Sequence, residues 1–485
     1  MTNRARLFLL MIAIPVVAFA VAQGIIWKWE QSWQQGLAEK YPTVQAEQRT
    51  AFTFWRLCTD PAAAEFRAPF ASSCSTVSGF AFMRATAVAT GAVGIGWLGL
   101  IALAGRLARR SRILLLKLFR PGLYITNTVL ICLIVIHGAL AIAALYFGEG
   151  ALLGRVHVGI VLGIGVGAVL GVVAMCRVSF SLVKAATTSV LGKRVSREEH
   201  PALWRVADDV ARAVGVTPPD HIIVGLDPNF FVTEAHVRTL DGEQQGRTMF
   251  VSLPLCRIMT VEELRSVLGH ELGHYKGQDT EFSTKFYPIY RGTYEGLRAL
   301  YASGSEGASS LALLPGVAVL SFFLEAFAVA ENGIGREREL AADRVGAGVA
   351  GAMITATALV KIHAFVPYWG AVHKAMAEVI SEGKAYTNVS ALFAESVREN
   401  VAAEALAGLD GRSLSHPTDS HPPLGLRLES LEVSLPEVQV AALDVTPADP
   451  SVELISNYEA LEKELSSAEH YLLAQSIGGK GLTPT

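Results

Sequence analysis

Four stretches free of Lys, Arg, Asp and Glu, Leu7 to Trp27, Ala85 to Gly105, Gly122 to Phe147 and Val156 to Cys176, constrain this chain more than any other feature. Each supplies the roughly 20 apolar residues that a helix needs to cross hydrocarbon, so the sequence predicts four transmembrane helices. The first stretch also suits a cleaved signal peptide, because Arg4 and Arg6 precede an apolar run ending in Ala20-Val21-Ala22. Ile25, Ile26 and Trp27 carry the run past that cut, and Trp27, Trp29 and Trp33 suit an interfacial belt, which favours an anchor.

Charge divides the chain at the same place. Through Val195 there are 19 Lys and Arg against 6 Asp and Glu, and after it 22 against 38. The basic residues of the first part flank the apolar runs: Arg4 and Arg6, then Arg106 to Arg120, then Arg177 to Arg194. With four crossings in turn these clusters share one side, which the positive-inside rule makes the cytoplasm. Residues 28–84 become an extracytoplasmic loop, where Cys58 and Cys74 can pair in an oxidising compartment or stay as two small apolar side chains. Neither part has a basic patch interleaved with aromatics, so no nucleic-acid partner is expected. The five cysteines form neither a disulfide framework nor a CxxC knuckle.

Within the fourth span, Gly159, Gly163, Gly167 and Gly171 recur every four residues and read as a packing face, for internal packing or for self-association. His137 and His157 sit in or at the end of spans and read as satisfied neutral histidines.

From Ser196 the pattern mixes helix and strand. An amphipathic stretch reaches Val214, Ile222 to Val224 and Thr248 to Val251 read as short strands, and Asp227-Pro228-Asn229 and Asp241-Gly242 mark turns. Thr260 with Glu263 forms a capping-box signature that opens a helix carrying His270-Glu271-Leu272-Gly273-His274. Residues four apart lie on one helix face, so His270 and His274 can meet one metal ion with Glu271 beside it, the HExxH zinc pattern. A catalytic zinc takes three protein ligands. Glu339 and Asp343, again four apart, supply the third ligand and a carboxylate that fixes a histidine tautomer. Ser415-His416-Pro417 and His421-Pro422-Pro423, followed by Arg427, could hold a substrate carbonyl near the metal.

Together these three elements, spread over Glu198 to Leu431, resemble the HtpX and CAAX prenyl endopeptidase-type family of membrane zinc metallopeptidases. Asn229-Phe230 and Val261 to Leu264 look like the family too, although the four-span N-terminal half departs from its best-known members. The resemblance implies a gluzincin with one zinc on His270, His274 and Glu339, Glu271 as general base, Asp343 behind the ligands, and His421 with Arg427 near the transition state, His416 standing as alternate for His421. The expected chemistry is hydrolysis of peptide bonds, with Glu271 taking a proton from zinc-activated water and passing it to the leaving nitrogen. An extended substrate is expected to pair with a strand edge, the strand near Phe250 being the candidate.

The fold class expected is mostly α with a small β-sheet: a membrane domain of four helices over 1–195, a zincin-type metallopeptidase domain over 196–435, and a helical tail over 436–485 with no chemistry of its own. Expected partners are a protein or peptide substrate and the lipid bilayer. Leu311 to Ala330 poses a problem, because one crossing there separates Glu339 from His270 and His274; it is expected to pack inside the peptidase domain or to dip into the near leaflet, with a hairpin as the other solution.

Overall fold

The computed structural model describes residues 3–181, 187–276, 286, 289–290, 292–294, 297–298, 308–411 and 421–476. The chain divides into two compact units, residues 1–184 with 289–328, and residues 185–288 with 329–485.

The first unit holds four long helices: α1 (Asn3–Lys40), α2 (Ala71–Ala108), α3 (Arg112–Leu153) and α4 (Val158–Ser181). α1 to α3 overrun the apolar stretches read from sequence at both ends and α4 at its C-terminal end, because helix propagation continues beyond the hydrocarbon-length core once that core has formed. The segment 28–84 is therefore mostly helical rather than a loop, with α1 running on to Lys40 and α2 starting at Ala71. Ala18 and Ala22 of α1 are fully buried against Phe80 and Met83 of α2 and Leu140 and Ala144 of α3, so the stretch that could be a signal peptide is built into the core. Cys58 and Cys74 form a disulfide, wrapped by Trp29, Trp33, Phe54 and Phe70.

The second unit opens on β-strands. One sheet has the order β2-β3-β7-β4, from β2 (Gly192–Val195), β3 (His221–Gly225), β4 (Phe231–Thr233) and β7 (Thr248–Ser252). β3 and β7 are parallel, while β2 and β4 run antiparallel on the flanks. The parallel pair is fed by α5 (Pro201–Val214), whose buried Leu203, Ala207, Val210 and Val214 form its core face. A second small sheet joins β1 (Thr187–Ser189), β5 (His236–Thr239) and β6 (Gly242–Gln244). Phe250 lies in β7, which has neighbours on both sides, so the strand expected to receive a substrate has no free edge; β4 is the edge on that side.

Four helices position the site: α6 (Val261–Lys276), α7 (Ala308–Ala350), α8 (Ala352–Phe365) and α9 (Leu424–Ser430). The capping box read at the start of α6 is present, with Thr260 N–H given to Glu263 and Glu263 N–H to Thr260 Oγ1. Glu263 is itself buried and accepts from Lys361 Nζ of α8 at 3.0 Å. The final helix, α10 (Tyr458–Ser476), is part of the same body rather than a separate tail: Leu465 joins its core, and buried Glu462 accepts from Arg257 Nε at 2.7 Å, just ahead of α6.

Leu311 to Ala330 lies within α7, and through Ala328 it belongs to the first unit, which corrects the expected packing inside the peptidase domain. The chain leaves the second unit before Ile289 and returns to it at Val329, so Glu339 comes back to the unit that holds His270.

Candidate metal centre

The site is made where α6 and the second half of α7 cross, and small residues set the closeness of that crossing. A Cβ on Gly346 would meet the Ser266 carbonyl oxygen at 2.8 Å, one on Gly269 would meet Val349 Cγ2 at 3.0 Å, and one on Gly273 would meet Val345 Cβ at 3.3 Å. Near contact of the two backbones brings residues one turn apart on each helix face to face.

His270 and His274 of α6 and Glu339 of α7 each present a ligand atom, all within 4.8 Å of one another. Nε2 of His270 is 3.7 Å from Glu339 Oε2, and Nε2 of His274 is 3.4 Å from Glu339 Oε1. His270 Nδ1 donates to Asp343 Oδ1 at 2.9 Å, which in the neutral imidazole fixes the tautomer and leaves the Nε2 lone pair facing Glu339. Two imidazoles and a carboxylate, half-buried and converging, are the donor set of a divalent catalytic metal.

Asp343 is fully buried and also takes Nε and Nη2 of Arg427, from α9, at 2.8 and 2.6 Å. Burial works against its ionisation, and the hydrogen bonds from Arg427 and His270 overcome this, holding the carboxyl well below the usual carboxylate range. Arg427 is buried with two of its nitrogens on Asp343, and it also lines the cavity that Glu271 and Glu339 face, its Nη2 3.8 Å from Glu339 Oε2. Burial likewise opposes ionisation of Glu339, and the hydrogen bond from His421 with the charges of His270 and His274 holds it at about 2. His421 donates Nδ1 to Glu339 Oε2 at 3.0 Å from the lip of the site, its side chain 67% exposed. Burial pushes the Glu271 carboxyl up, against the pull of His270 and His274. His416 lies outside the described residues.

These residues open on a cavity of about 380 Å³ in which Glu271, Glu339 and His421 share walls with Asn229, Leu359 and Ile362. Sequence reading missed the α8 wall, including His363, whose Nδ1 donates to the Leu359 carbonyl at 2.8 Å. An apolar run such as Ala352 to Phe365 carries no spacing signal that ties it to a motif eighty residues earlier, and a lone histidine in it reads as core.

Residues 198–434 match the sequence model of Peptidase family M48, a span that contains every residue of this site. Residues 198–434 thus form an M48-type metallopeptidase domain. A protease HtpX homolog of Archaeoglobus fulgidus is 28% identical over 237 residues, 47% of this chain and 67% of the relative. One from Pyrobaculum calidifontis is 28% identical over 276 residues, covering 54% and 76%. A shorter match, 36% over 90 residues, links 18% of this chain to 27% of an HtpX homolog of Sulfurisphaera tokodaii. Five described helices are long and apolar enough to cross a membrane, the four expected and the front of α7. The chain is thus similar to membrane metallopeptidases of the HtpX type, a family that implies a metal.

Proposed function

We propose that this metallopeptidase is a zinc endopeptidase that cleaves unfolded or membrane-associated proteins on the cytoplasmic side of a bacterial inner membrane, in quality control or processing. The convergence of His270, His274 and Glu339 beside Glu271 in one cavity carries the reading. His270, His274 and Glu339 would hold one zinc, which when bound supplies Lewis acidity and a water acidic near pH ~7.

The chain's own residues do the rest. Glu271, a carboxyl already raised by burial, takes a proton at its carboxylate and gives it to the departing nitrogen. His421 is assigned to the substrate oxyanion from the lip of the cavity. Arg427 is a positioning residue, acting through Asp343 on the orientation of His270. An extended substrate would add to β4, whose preceding residues Asn229 and Phe230 line the cavity. The basic flanks of α1 to α4 favour a cytoplasmic site, and the Cys58–Cys74 disulfide on the opposite flank suits an oxidising compartment.

Cleavage of an unfolded model protein by the detergent-purified chain and by Glu271→Gln, with zinc measured on both, tests this reading. Cleavage by the wild type alone at equal zinc supports it. Loss of zinc in the variant overturns the role of Glu271, and silence from both at full occupancy overturns the peptidase reading in favour of a non-catalytic zinc scaffold.

A further inference from the structure

In the first unit, α1, α3, α4 and the start of α7 line a second cavity of about 610 Å³, a groove open along α4, where Gly159, Ile160 and Gly163 are exposed. Its walls include Leu130, Ile134, Ile160 and Ile164, and among the described residues no Lys, Arg, Asp or Glu lines it. Gly159 and Gly163 of α4 face this space, and a Cβ on either would meet nothing within 4 Å. The glycine row at these two positions is therefore not consumed by helix packing. Among the described residues one polar side chain lines the cavity: His137, 7% exposed, whose Nε2 is buried and has no hydrogen-bond partner there.

At membrane depth a buried polar atom has no bulk water to turn to, and an ionisable residue left there marks a site. The volume falls in the range of small-molecule sites, which combine apolar walls with a few fixed polar groups. A charged headgroup finds no counter-charge in this lining, whereas a neutral imidazole donates at one nitrogen and accepts at the other, the complement of a hydroxyl. We propose that this cavity binds a neutral amphiphile, an aliphatic body lying along Gly159 and Gly163 with its hydroxyl on His137. A single bridging water satisfies the imidazole but leaves the apolar slot unfilled, so the two occupants are separable by experiment.

The probe is a long-chain alcohol carrying a photoreactive diazirine on its chain, added to the full-length protein in detergent, with labelled residues mapped by mass spectrometry. Labelling is expected to concentrate between Leu130 and Ala168, to be competed by unlabelled hexadecanol and not by hexadecane. Gly163→Leu, whose side chain enters open space, is expected to abolish it while the protein stays monodisperse. His137→Leu keeps the bulk and removes the hydrogen bond, and is expected to lower labelling about three- to tenfold. Labelling spread evenly over all lipid-facing helices, or unchanged in Gly163→Leu, overturns the site. Equal competition by hexadecane together with unchanged labelling of His137→Leu overturns the hydroxyl assignment.

Discussion

The two glycine rows of this protein share a spacing and do opposite things. Gly269 and Gly273 on α6, with Gly346 on α7, are pressed against a neighbouring helix, so that an added Cβ would strike backbone or side chain at 2.8 to 3.3 Å. Gly159 and Gly163 on α4 face empty space. A row of glycines permits close approach, and what occupies the permitted space is decided by the partner surface. In the first case the partner brings Glu339 and Asp343 to two histidines; in the second it leaves a cavity.

The sharpest way to break the contrast is Gly346→Val. Its branched side chain would have to displace the Ser266 backbone, separating Glu339 from His270 and His274. Zinc content and proteolysis should both fall below detection, and a variant with normal zinc would mean that closeness at this crossing is not what builds the centre. Next in size is Asp343→Asn, which removes the charge that Arg427 and His270 share; zinc affinity by chelator competition should drop about 10- to 100-fold. Arg427→Leu should lower thermal stability by about 3–5 kcal/mol, because it leaves a buried carboxylate with the His270 hydrogen bond but no counter-charge of its own. Gly159→Ala lies at the other extreme: with nothing in its way it should change thermal stability by no more than about 1 kcal/mol, in the stabilising direction.

The metal-free protein should also show the electrostatics of the centre. Glu339 sits at about 2 against an ordinary 4.5, so the unfolded chain binds its proton first as acid is added. Its contribution to stability is complete above pH 4.5 and lost as pH falls toward 2, and Glu339→Gln should flatten the melting temperature over that window. A variant with the wild-type slope would show that other carboxylates dominate it.

The ligand residues were legible because a helix encodes them locally: positions four apart face one way, and both HExxH and Glu339 with Asp343 obey that rule. The four apolar spans were legible for a similar reason, since length and absence of charge are local properties. The rest depends on pairings between distant segments. Nothing near Arg427 in the sequence names Asp343, 84 residues away, as its partner. Phe250 looked like an edge because its sequence reveals neither of its strand partners. The front of α7 was as apolar as a buried core helix, and hydropathy cannot say which core will take it.

The last described helix adds a temporal consequence. Glu462 grips Arg257, Ser451 N–H reaches the Met259 carbonyl, and Thr260 bridges Pro450, so the approach to α6 is fastened by residues translated long after it. Domains fold during synthesis from the N-terminal side, and α6 is synthesised well before the residues that fasten its approach. A nascent chain stalled before Pro450 should hold every ligand histidine and still bind metal weakly, as equilibrium chelation of purified stalled complexes can show. Formation of the centre is thus expected to depend on a segment about 205 residues downstream docking on Arg257.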